Sequence, residues 1–326
     1  MADEAAVDPA PDDLTSLPSL TDSAVLEACK LRFSDNKIYT KINSLLVAVN
    51  PFQRLPIYGD AVMKQYQDAA VGTQPPHIYS PAAASYTGLL AGSPQSLIIS
   101  GESGAGKSES AKLILKHLAF CSTAPSDDGS PGVEDKILAS SPPLEAFGNA
   151  KTPMNNNSSR YGKFIMLNFS TTGLLAGAHL NTYLLEKPRV VRPSAGERNY
   201  HIFYMLYTVP ELWNELGLPP IEEITFVGKT GVLDNPGFED AAEFKDTLDA
   251  LAKIGLSADQ MLDLWKLVAA IMLLGQVEFG TGDEAAVTEA SQAALQAASD
   301  LVACDAEMLS AAMTTLKRKV RAGRRA

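Results

Sequence analysis

Residues 96–115 read SLIISGESGAGKSESAKLIL, an apolar run followed by a glycine-rich loop and a stretch with helical spacing. Residues 101–108 match the pattern G-x-x-x-x-G-K-[ST]. Glycines let backbone N–H groups turn inward around a phosphate, and the following helix directs its positive end at the same charge. Lys107 would supply a mobile positive charge, and the Ser108 hydroxyl could ligate Mg²⁺. This stretch therefore predicts a nucleotide site built as strand, P-loop and helix.

The alternative is a glycine turn that matches the pattern by chance. We expect such a match in about one chain in a hundred of this composition. The apolar run before the loop and the helical spacing after it supply the context that the motif requires. A P-loop alone, however, does not separate kinases, GTPases and motor proteins.

The chain as a whole limits the partners that we expect. The net charge of −11 argues against binding nucleic acid through bulk charge. The apolar runs are short, and none approaches the roughly 20 residues that cross a bilayer, so we expect no membrane span. Three cysteines lie far apart without CxxC pairing, which favours a reducing, cytosolic setting over a disulfide framework.

Hydrophobic periodicity predicts an α/β chain, with strands and helices alternating early and helices late. Helices are predicted at 22–33, with Asp22 or Ser23 as N-cap, and at 80–92, 107–120 and 134–147. Strands are predicted at 44–51, 95–100, 162–169 and 178–186, and the last two are apolar enough to pack on both faces. We divide the chain into a disordered lead-in over 1–21, a nucleotide-binding core over 22–195 and a mostly helical region over 196–326.

Isolated histidines and tryptophans predict no further site. The four histidines, His77, His117, His179 and His201, lack metal-ligand spacing, so we interpret them as structural or surface residues. Trp213 and Trp265 lie in amphipathic segments and are predicted to be core residues.

The segment NNNSSRYGK, residues 155–163, offers amide, hydroxyl and cationic donors within a few positions. Such donors suit a γ-phosphate and its Mg²⁺. Read alone, NNNSS is more typical of a plain polar loop. Its position after a P-loop and before the apolar stretch GKFIMLNF favours the nucleotide interpretation.

Together these segments resemble the amino-terminal part of a myosin motor head. GESGAGKSES resembles the P-loop of that family, and AFGNAKTPMNNNSSRYGKFI resembles its switch I. NPFQRLPIY at 50–58 resembles the loop that borders the adenine, and NTYLLEKPRVV and GERNYHIFYMLY resemble the elements after switch I. The likeness runs from about residue 14 to about residue 280 in consistent order. Three positions depart from it: Ser108 replaces a usual Thr, Tyr161 a usual Phe and Pro188 a usual Ser.

The resemblance implies roles for the matching residues. Lys107, Ser158 and Arg160 would be catalytic, with Lys107 on the β/γ-phosphates, Ser158 beside the attacking water, and Arg160 paired with a switch II glutamate. Ser108 and Ser159 would ligate Mg²⁺. The residues that would contact ATP are Asn50, Pro51, Arg54 and Tyr58 around the adenine, and Gly101, Glu102, Ser103, Gly104, Ala105, Gly106, Lys107, Ser108, Glu109 and Asn155 around the phosphates.

The resemblance also implies a fold and a function. The fold would be a P-loop NTPase-type mixed sheet with flanking helices, followed by a helical upper-cleft region. The function would be that of an actin-based motor ATPase in the cytoplasm, associated with the cytoskeleton, that uses ATP and Mg²⁺ and binds actin filaments. Two alternatives stay open. One is a fragment that binds nucleotide without hydrolysing it. The other is an unrelated P-loop kinase, which should carry a lid with several arginines that this sequence lacks.

A second match, DNPGFE at 234–239, has the form of a switch II segment. We interpret it as a surface turn, because only GVL precedes the aspartate and Asn-Pro-Gly is typical of turns. On this interpretation the chain ends before the family's switch II, relay helix, converter and most of the actin-binding cleft. We then expect an incomplete sheet and an incomplete catalytic site. The segment 96–100 would leave unpaired backbone groups on both sides, and the chain would fold poorly or aggregate.

Overall fold

The computed structural model describes residues 8–70, 72–122, 132–281 and 285–315. Three pairs of strands form separate two-stranded sheets, β1–β2, β3–β4 and β5–β6. The strands are β1 (Tyr39–Ile42), β2 (Leu45–Ala48), β3 (Asn149–Thr152), β4 (Asn155–Ser159), β5 (Gly162–Phe169) and β6 (Leu175–Tyr183). The helices are α1 (Asp22–Ser34), α2 (Asp60–Asp68), α3 (Tyr79–Leu90), α4 (Lys107–Ser122), α5 (Val133–Ala139), α6 (Ser141–Gly148), α7 (Pro188–Val191), α8 (His201–Leu206), α9 (Pro210–Glu215), α10 (Asp240–Ile254), α11 (Ala258–Leu274), α12 (Gln292–Leu301) and α13 (Ala306–Thr314).

The chain divides into two compact units. The first unit comprises Met1–Leu138 with Phe164–Asn181, and the second comprises Ala139–Lys163 with Thr182–Ala326. Each has its own hydrophobic core, so the mixture of helices and small sheets agrees with the predicted α/β class only in its coarse content.

The core of the first unit is small and rich in aromatic rings. His77 stacks on Tyr66 with ring centroids 5.0 Å apart, and His117 stacks on Tyr79 at 4.8 Å. Burial removes water from both imidazoles and lowers the pKa of each to about 4. The predicted structural role of these two histidines is therefore confirmed. The buried apolar members are Ile38, Tyr39, Met63, Tyr66, Ile78, Tyr79, Ala82, Ile114 and Leu118.

The core of the second unit is larger and is built mainly from α8, α10, α11 and α12. Trp265 is buried on α11, and its ring meets that of Phe244 edge-on at 5.2 Å. The helix begins with a capping box, in which Ser257 and Gln260 satisfy each other's backbone N–H groups. Trp265 is thus confirmed as a core residue, whereas Trp213 is half-buried and packs against the core edge.

The lead-in is more ordered than the sequence predicts. Residues 1–7 lie outside the described part, but disorder over 8–21 is wrong. Leu14 is buried in a short 3₁₀ helix, and Arg32 Nη1 lies 2.9 Å from Asp12 Oδ1. Arg32 ties the segment to α1, because its Nη1 also donates to Ala10 O at 3.1 Å, and the short 3₁₀ helix contacts β1. The N-cap of α1 is Thr21, whose hydroxyl accepts from the N–H of Ala24, rather than Asp22 or Ser23.

The predicted strand at 95–100 does not form. These residues have no regular structure and are exposed throughout, with Ile98 at 91% exposure. An isolated apolar run has no strand to pair with among the described residues, and a strand exists only through its ladder. The helix after the loop, by contrast, forms as predicted, with α4 beginning at Lys107.

The other strands form, but they are less covered than predicted. β2, β5 and β6 contain no buried residue, and along β5 half-buried and exposed residues alternate from Lys163 onward. Alternation is typical of a strand with one covered face, so packing on both faces is wrong here. The helix predicted over 134–147 is two helices, because Pro142 and Pro143 fit only in the first turn of α6. Between α4 and α5, residues 123–131 lie outside the described part of the chain.

Candidate functional site

The glycine loop of the first unit has the backbone that the motif predicts. Gly101, Gly104 and Gly106 have φ values of +155°, +81° and +92°, which side chains with a Cβ rarely adopt. A Cβ at Gly101 would lie 3.1 Å from that of Ala105. The loop is therefore a concave turn of main chain that runs directly into the N-terminus of α4.

Lys107 lies across this loop. Its Nζ donates to the carbonyl oxygens of Gly101 at 2.7 Å and Glu102 at 2.8 Å. The ammonium group thus sits at the centre of the turn, where phosphate oxygens could replace the two carbonyls as its partners. Glu109 pairs with Lys112 at 3.1 Å on the surface of α4, so its carboxylate belongs to the helix face rather than to the loop.

The residues predicted to border the adenine are divided between two roles. Asn50 Nδ2 donates to Gly104 O at 2.7 Å, so this side chain holds the glycine loop. Tyr58 shares a hydrogen bond of 2.7 Å with the hydroxyl of Tyr39, and burial raises its pKa. Arg54 is exposed and Pro51 half-buried. Sequence reasoning therefore missed the direct contact between the 50–58 segment and the P-loop.

In the second unit, the Asn-rich segment is the strand β4. It pairs antiparallel with β3, with Ala150 opposite Ser158 and Asn149 opposite Ser159. Ser158 is only 2% exposed, while the neighbouring Ser159 is exposed, as alternation along a strand requires. The structure thus places the predicted residues Asn155, Ser158 and Ser159 on one short strand.

Amide groups fix the middle of β4. Asn157 Oδ1 accepts from Asn149 Nδ2 at 2.8 Å and lies 3.2 Å from His201 Nε2. Asn157 Nδ2 donates to Glu145 Oε2 at 3.2 Å, and the backbone N–H of Asn157 donates to Asn155 Oδ1 at 2.9 Å. Burial lowers the pKa of His201 to about 3, so its ring is neutral near pH 7.

Arg160 follows β4 and pairs with a carboxylate that the sequence analysis did not single out. Its Nε lies 2.7 Å from Glu186 Oε2, and its Nη1 donates to Ser158 Oγ at 3.3 Å. The same Glu186 oxygen lies 2.7 Å from Arg189 Nε. The hydrogen bond from Arg160 lowers the pKa of Glu186, with Arg189 acting in the same direction against partial burial. In the sequence, the i, i+3 spacing of Glu186 and Arg189 indicated that Glu186 could form an ion pair.

The segment DNPGFE forms the predicted turn. The N–H of Phe238 donates to Asn235 O at 3.0 Å, and Gly237 has a φ of +78°. Proline followed by a left-handed glycine is typical of a type II turn. No strand precedes it, since residues 231–236 have no helix or strand. One expectation is corrected, because the turn is not wholly on the surface: Asn235 is only 7% exposed and contacts β4.

The two groups of predicted residues belong to different units. Asn50, Pro51, Arg54, Tyr58 and 101–109 lie in the first unit, and Asn155, Ser158, Ser159 and Arg160 lie in the second. Phe52, inside the 50–58 segment, was also not singled out by the sequence analysis: it has a φ of +50° and is 84% exposed beside Asn50. An exposed aromatic ring on a left-handed backbone is uncommon and indicates that the loop has a defined conformation.

Two kinds of site are absent from the described residues. No group of three His, Cys, Asp or Glu side chains could hold a metal ion in that part of the chain. None of its helices combines the length and the apolar character needed to cross a membrane.

Comparison with known proteins agrees with the order of these motifs. The family model for the myosin head (motor domain) matches residues 11–326. Similar proteins include Myosin-13 of Arabidopsis thaliana, 42% identical over 305 residues, and Myosin-1 of Aspergillus niger, 38% identical over 317 residues. These matches cover 91% and 96% of this chain but only 20% and 25% of the relatives, so the chain spans about a fifth to a quarter of their length. The chain belongs to the myosin head (motor domain) family.

Proposed function

We propose that this chain is the part of an actin-based motor ATPase that binds ATP and Mg²⁺, acting in the cytoplasm on the cytoskeleton. One observation carries the proposal: the glycine loop has three positive φ values, accepts two hydrogen bonds from the ammonium group of Lys107 and continues directly into α4. Backbone N–H groups, a lysine and a helix N-terminus converge there, which is the donor set that a triphosphate requires.

Residues of the first unit would hold the nucleotide. Lys107 would exchange two carbonyl partners for the β/γ-phosphates, and the Ser108 hydroxyl would ligate Mg²⁺. Asn50 would hold the loop in shape through Gly104, since its amide already makes that bond. Bound Mg²⁺ would neutralise part of the phosphate charge and orient the terminal phosphate for attack by water.

Residues of β4 would act on the terminal phosphate. Ser159 would be the second Mg²⁺ ligand, Asn155 would contact the phosphates, and Ser158 would lie beside the attacking water. Arg160 would stabilise negative charge or hold a switch element through an ion pair. Short side chains on a paired strand suit this task, because the strand limits their freedom.

The segment at 234–239 would not serve as switch II. Three features support this part of the proposal: a type II turn, the absence of a preceding strand among the described residues, and the ion pair of Arg160 with Glu186 rather than Glu239. Hydrolysis would then require a switch II, and motion a converter, neither of which we assign to any segment of this chain.

A second candidate function is nucleotide binding without hydrolysis. The exposed, irregular segment 95–100 favours it, because a P-loop normally takes its rigidity from the strand before it. A loop supported by α4 and Asn50, with no strand before it among the described residues, could retain affinity for phosphates and still fail to position the γ-phosphate for attack.

A binding experiment tests the shared part of both candidates. Fluorescent ATP is titrated into the 326-residue chain in Mg²⁺, and the Lys107→Ala variant is compared with Lys116→Ala, which removes an exposed lysine from the same helix. We expect Lys107→Ala to weaken binding about 10- to 100-fold, as loss of charge-assisted hydrogen bonds implies. Lys116→Ala should bind like the wild type. Equal affinities for all three proteins would refute the proposed site.

A single-turnover assay separates the two candidates. ATP is mixed with excess chain, with and without actin filaments, and phosphate release is followed. Release that is accelerated by actin supports the motor ATPase. Tight binding with no release supports a nucleotide-binding fragment, and transfer of the phosphoryl group to a small acceptor would point instead to a kinase.

A further inference from the structure

The turn at 235–238 and the strand β4 exchange hydrogen bonds in both directions. Asn156 Nδ2 donates to Pro236 O at 2.6 Å, and Asn235 Nδ2 donates to Asn156 O at 2.9 Å. Two asparagine side chains thereby join backbone segments that are 80 residues apart in sequence. Because each bond uses a different donor, the loss of one leaves the other in place.

The strand needs such a partner. β4 pairs only with β3 among the described residues, and the pairing shifts register between Ala150 and Thr152. A two-stranded hairpin of this kind is marginally stable by itself. On its open edge, the Asn156 carbonyl receives a side-chain amide in place of a neighbouring strand, which satisfies a backbone group that a strand edge leaves unpaired.

The turn is itself firmly held. Pro236 fixes the φ of the turn, Gly237 adopts the positive φ that the turn requires, and the ring of Phe238 stacks on His201 with centroids 4.1 Å apart. After the turn, Asp240 Oδ2 lies 2.8 Å from Nη2 of Arg198, which is fully buried. A rigid, anchored turn can position a strand, whereas a mobile one could not.

We infer that the turn 235–238 is a positioning element for β4 and that Asn235 is the positioning residue that adapts this strand to a triphosphate. The inference rests on the proposed function, in which Asn155, Ser158 and Ser159 act at the γ-phosphate and its Mg²⁺. ADP lacks that phosphate. Loosening β4 therefore reduces affinity for ATP more than affinity for ADP, because only ATP brings a γ-phosphate to this strand.

The test is the variant Asn235→Asp, which keeps the shape of the side chain and replaces the amide donor with a carboxylate oxygen that repels the Asn156 carbonyl. The matched control is Asn214→Asp, since Asn214 Nδ2 also donates to a backbone carbonyl, that of Pro210 at 2.8 Å on α9. We expect Asn235→Asp to weaken fluorescent ATP about fivefold, as loss of one hydrogen bond implies, and to change ADP affinity less than twofold. The control should change neither affinity.

Hydrogen exchange measures the mechanical part of the inference without nucleotide. Amides of residues 155–160 should exchange faster in Asn235→Asp than in the wild type or in Asn214→Asp. The variant Asn156→Ala removes the opposite bond from an exposed position and should shift both readouts in the same direction, which covers the case that Asn235→Asp fails to fold.

Three results would overturn the inference. Equal losses of ATP and ADP affinity would reduce the turn to a structural role. Unchanged exchange at 155–160 would show that the turn does not hold the strand. If the wild type binds neither nucleotide, the proposed function fails and the nucleotide preference fails with it, while the exchange data still show whether the turn holds β4.

Discussion

The two units differ in the size of their buried cores. In the second unit, helices α8, α10, α11 and α12 surround a continuous core that includes Phe244 and Trp265. In the first unit, a compact aromatic core lies between α2, α3 and α4, yet Leu97, Ile98 and Ile99 remain exposed. Within the described residues the second unit therefore has the larger buried core, and the first unit leaves an apolar run exposed beside the glycine loop.

This contrast bears on function because the glycine loop lies in the less covered unit. Its C-terminal side is the regular helix α4, and its N-terminal side is the exposed segment 95–100. Positioning a phosphate to sub-ångström accuracy requires rigid elements on both sides. This chain can thus bind nucleotide without hydrolysing it. Binding needs the groups that donate to the phosphates, whereas hydrolysis also needs rigid elements that hold those groups in place.

The largest expected effect concerns the core of the second unit. Phe244→Ala should lower the free energy of unfolding by about 3–5 kcal/mol, because a buried aromatic ring leaves a cavity. Both tryptophans of the chain, Trp213 and Trp265, lie in the second unit. Tryptophan fluorescence during denaturant unfolding therefore reports this unit, and its transition should move to lower denaturant.

The control for Phe244→Ala is hydrogen exchange of α3 and α4 in the first unit. If each unit depends on its own core, protection of these helices should stay within the range of the wild type. A parallel loss of protection in α3 and α4 would contradict the division into two separately stabilised units.

A smaller effect concerns the response of the first unit to pH. His77 and His117 in the first unit have a pKa of about 4, against 6.5 in an unfolded chain. Below pH 6.5 these histidines bind protons in the unfolded chain but stay neutral in the folded unit. The free energy of unfolding therefore falls as the pH decreases from 6.5 to 4. The expected slope is about 1.4 kcal/mol per pH unit for each histidine. The rings around them, Tyr39, Tyr58, Tyr66 and Tyr79, stay neutral in this range.

The variant His117→Phe isolates this effect. It keeps a ring to stack on Tyr79 and removes one titrating group, so protection of α3 and α4 should fall about half as steeply with acid. His179→Gln is the control, since His179 is exposed and no change in slope is expected. A slope that does not respond to His117→Phe would show that this buried histidine does not cause the acid sensitivity.

Local signals predicted the parts of the molecule that local chemistry decides. The P-loop backbone, the start of α4 and the turn at 235–238 follow from glycine, proline and asparagine at fixed spacing. The prediction of a strand at 95–100 was wrong, because a strand forms only where a second strand pairs with it, and a short segment does not specify that partner. For the same reason the sequence did not identify Glu186 as the partner of Arg160 or Asn235 as the partner of Asn156, since both contacts join segments that are distant in sequence.

The smallest effect on stability, and the one that bears most directly on the first unit, concerns Ile98. Ile98→Ser should change the free energy of unfolding by no more than about 0.5 kcal/mol, because an exposed side chain loses little when it is removed. It should nevertheless reduce self-association in sedimentation experiments, since Ile98 is the most exposed residue of an apolar run with unpaired backbone groups.

Ile202→Ser makes the same substitution in the buried core of the second unit and should cost several kcal/mol. If the wild-type chain instead sediments as a single monomer and melts in one sharp transition, residues 96–99 are covered in solution. The difference that we draw between the two units would then be wrong.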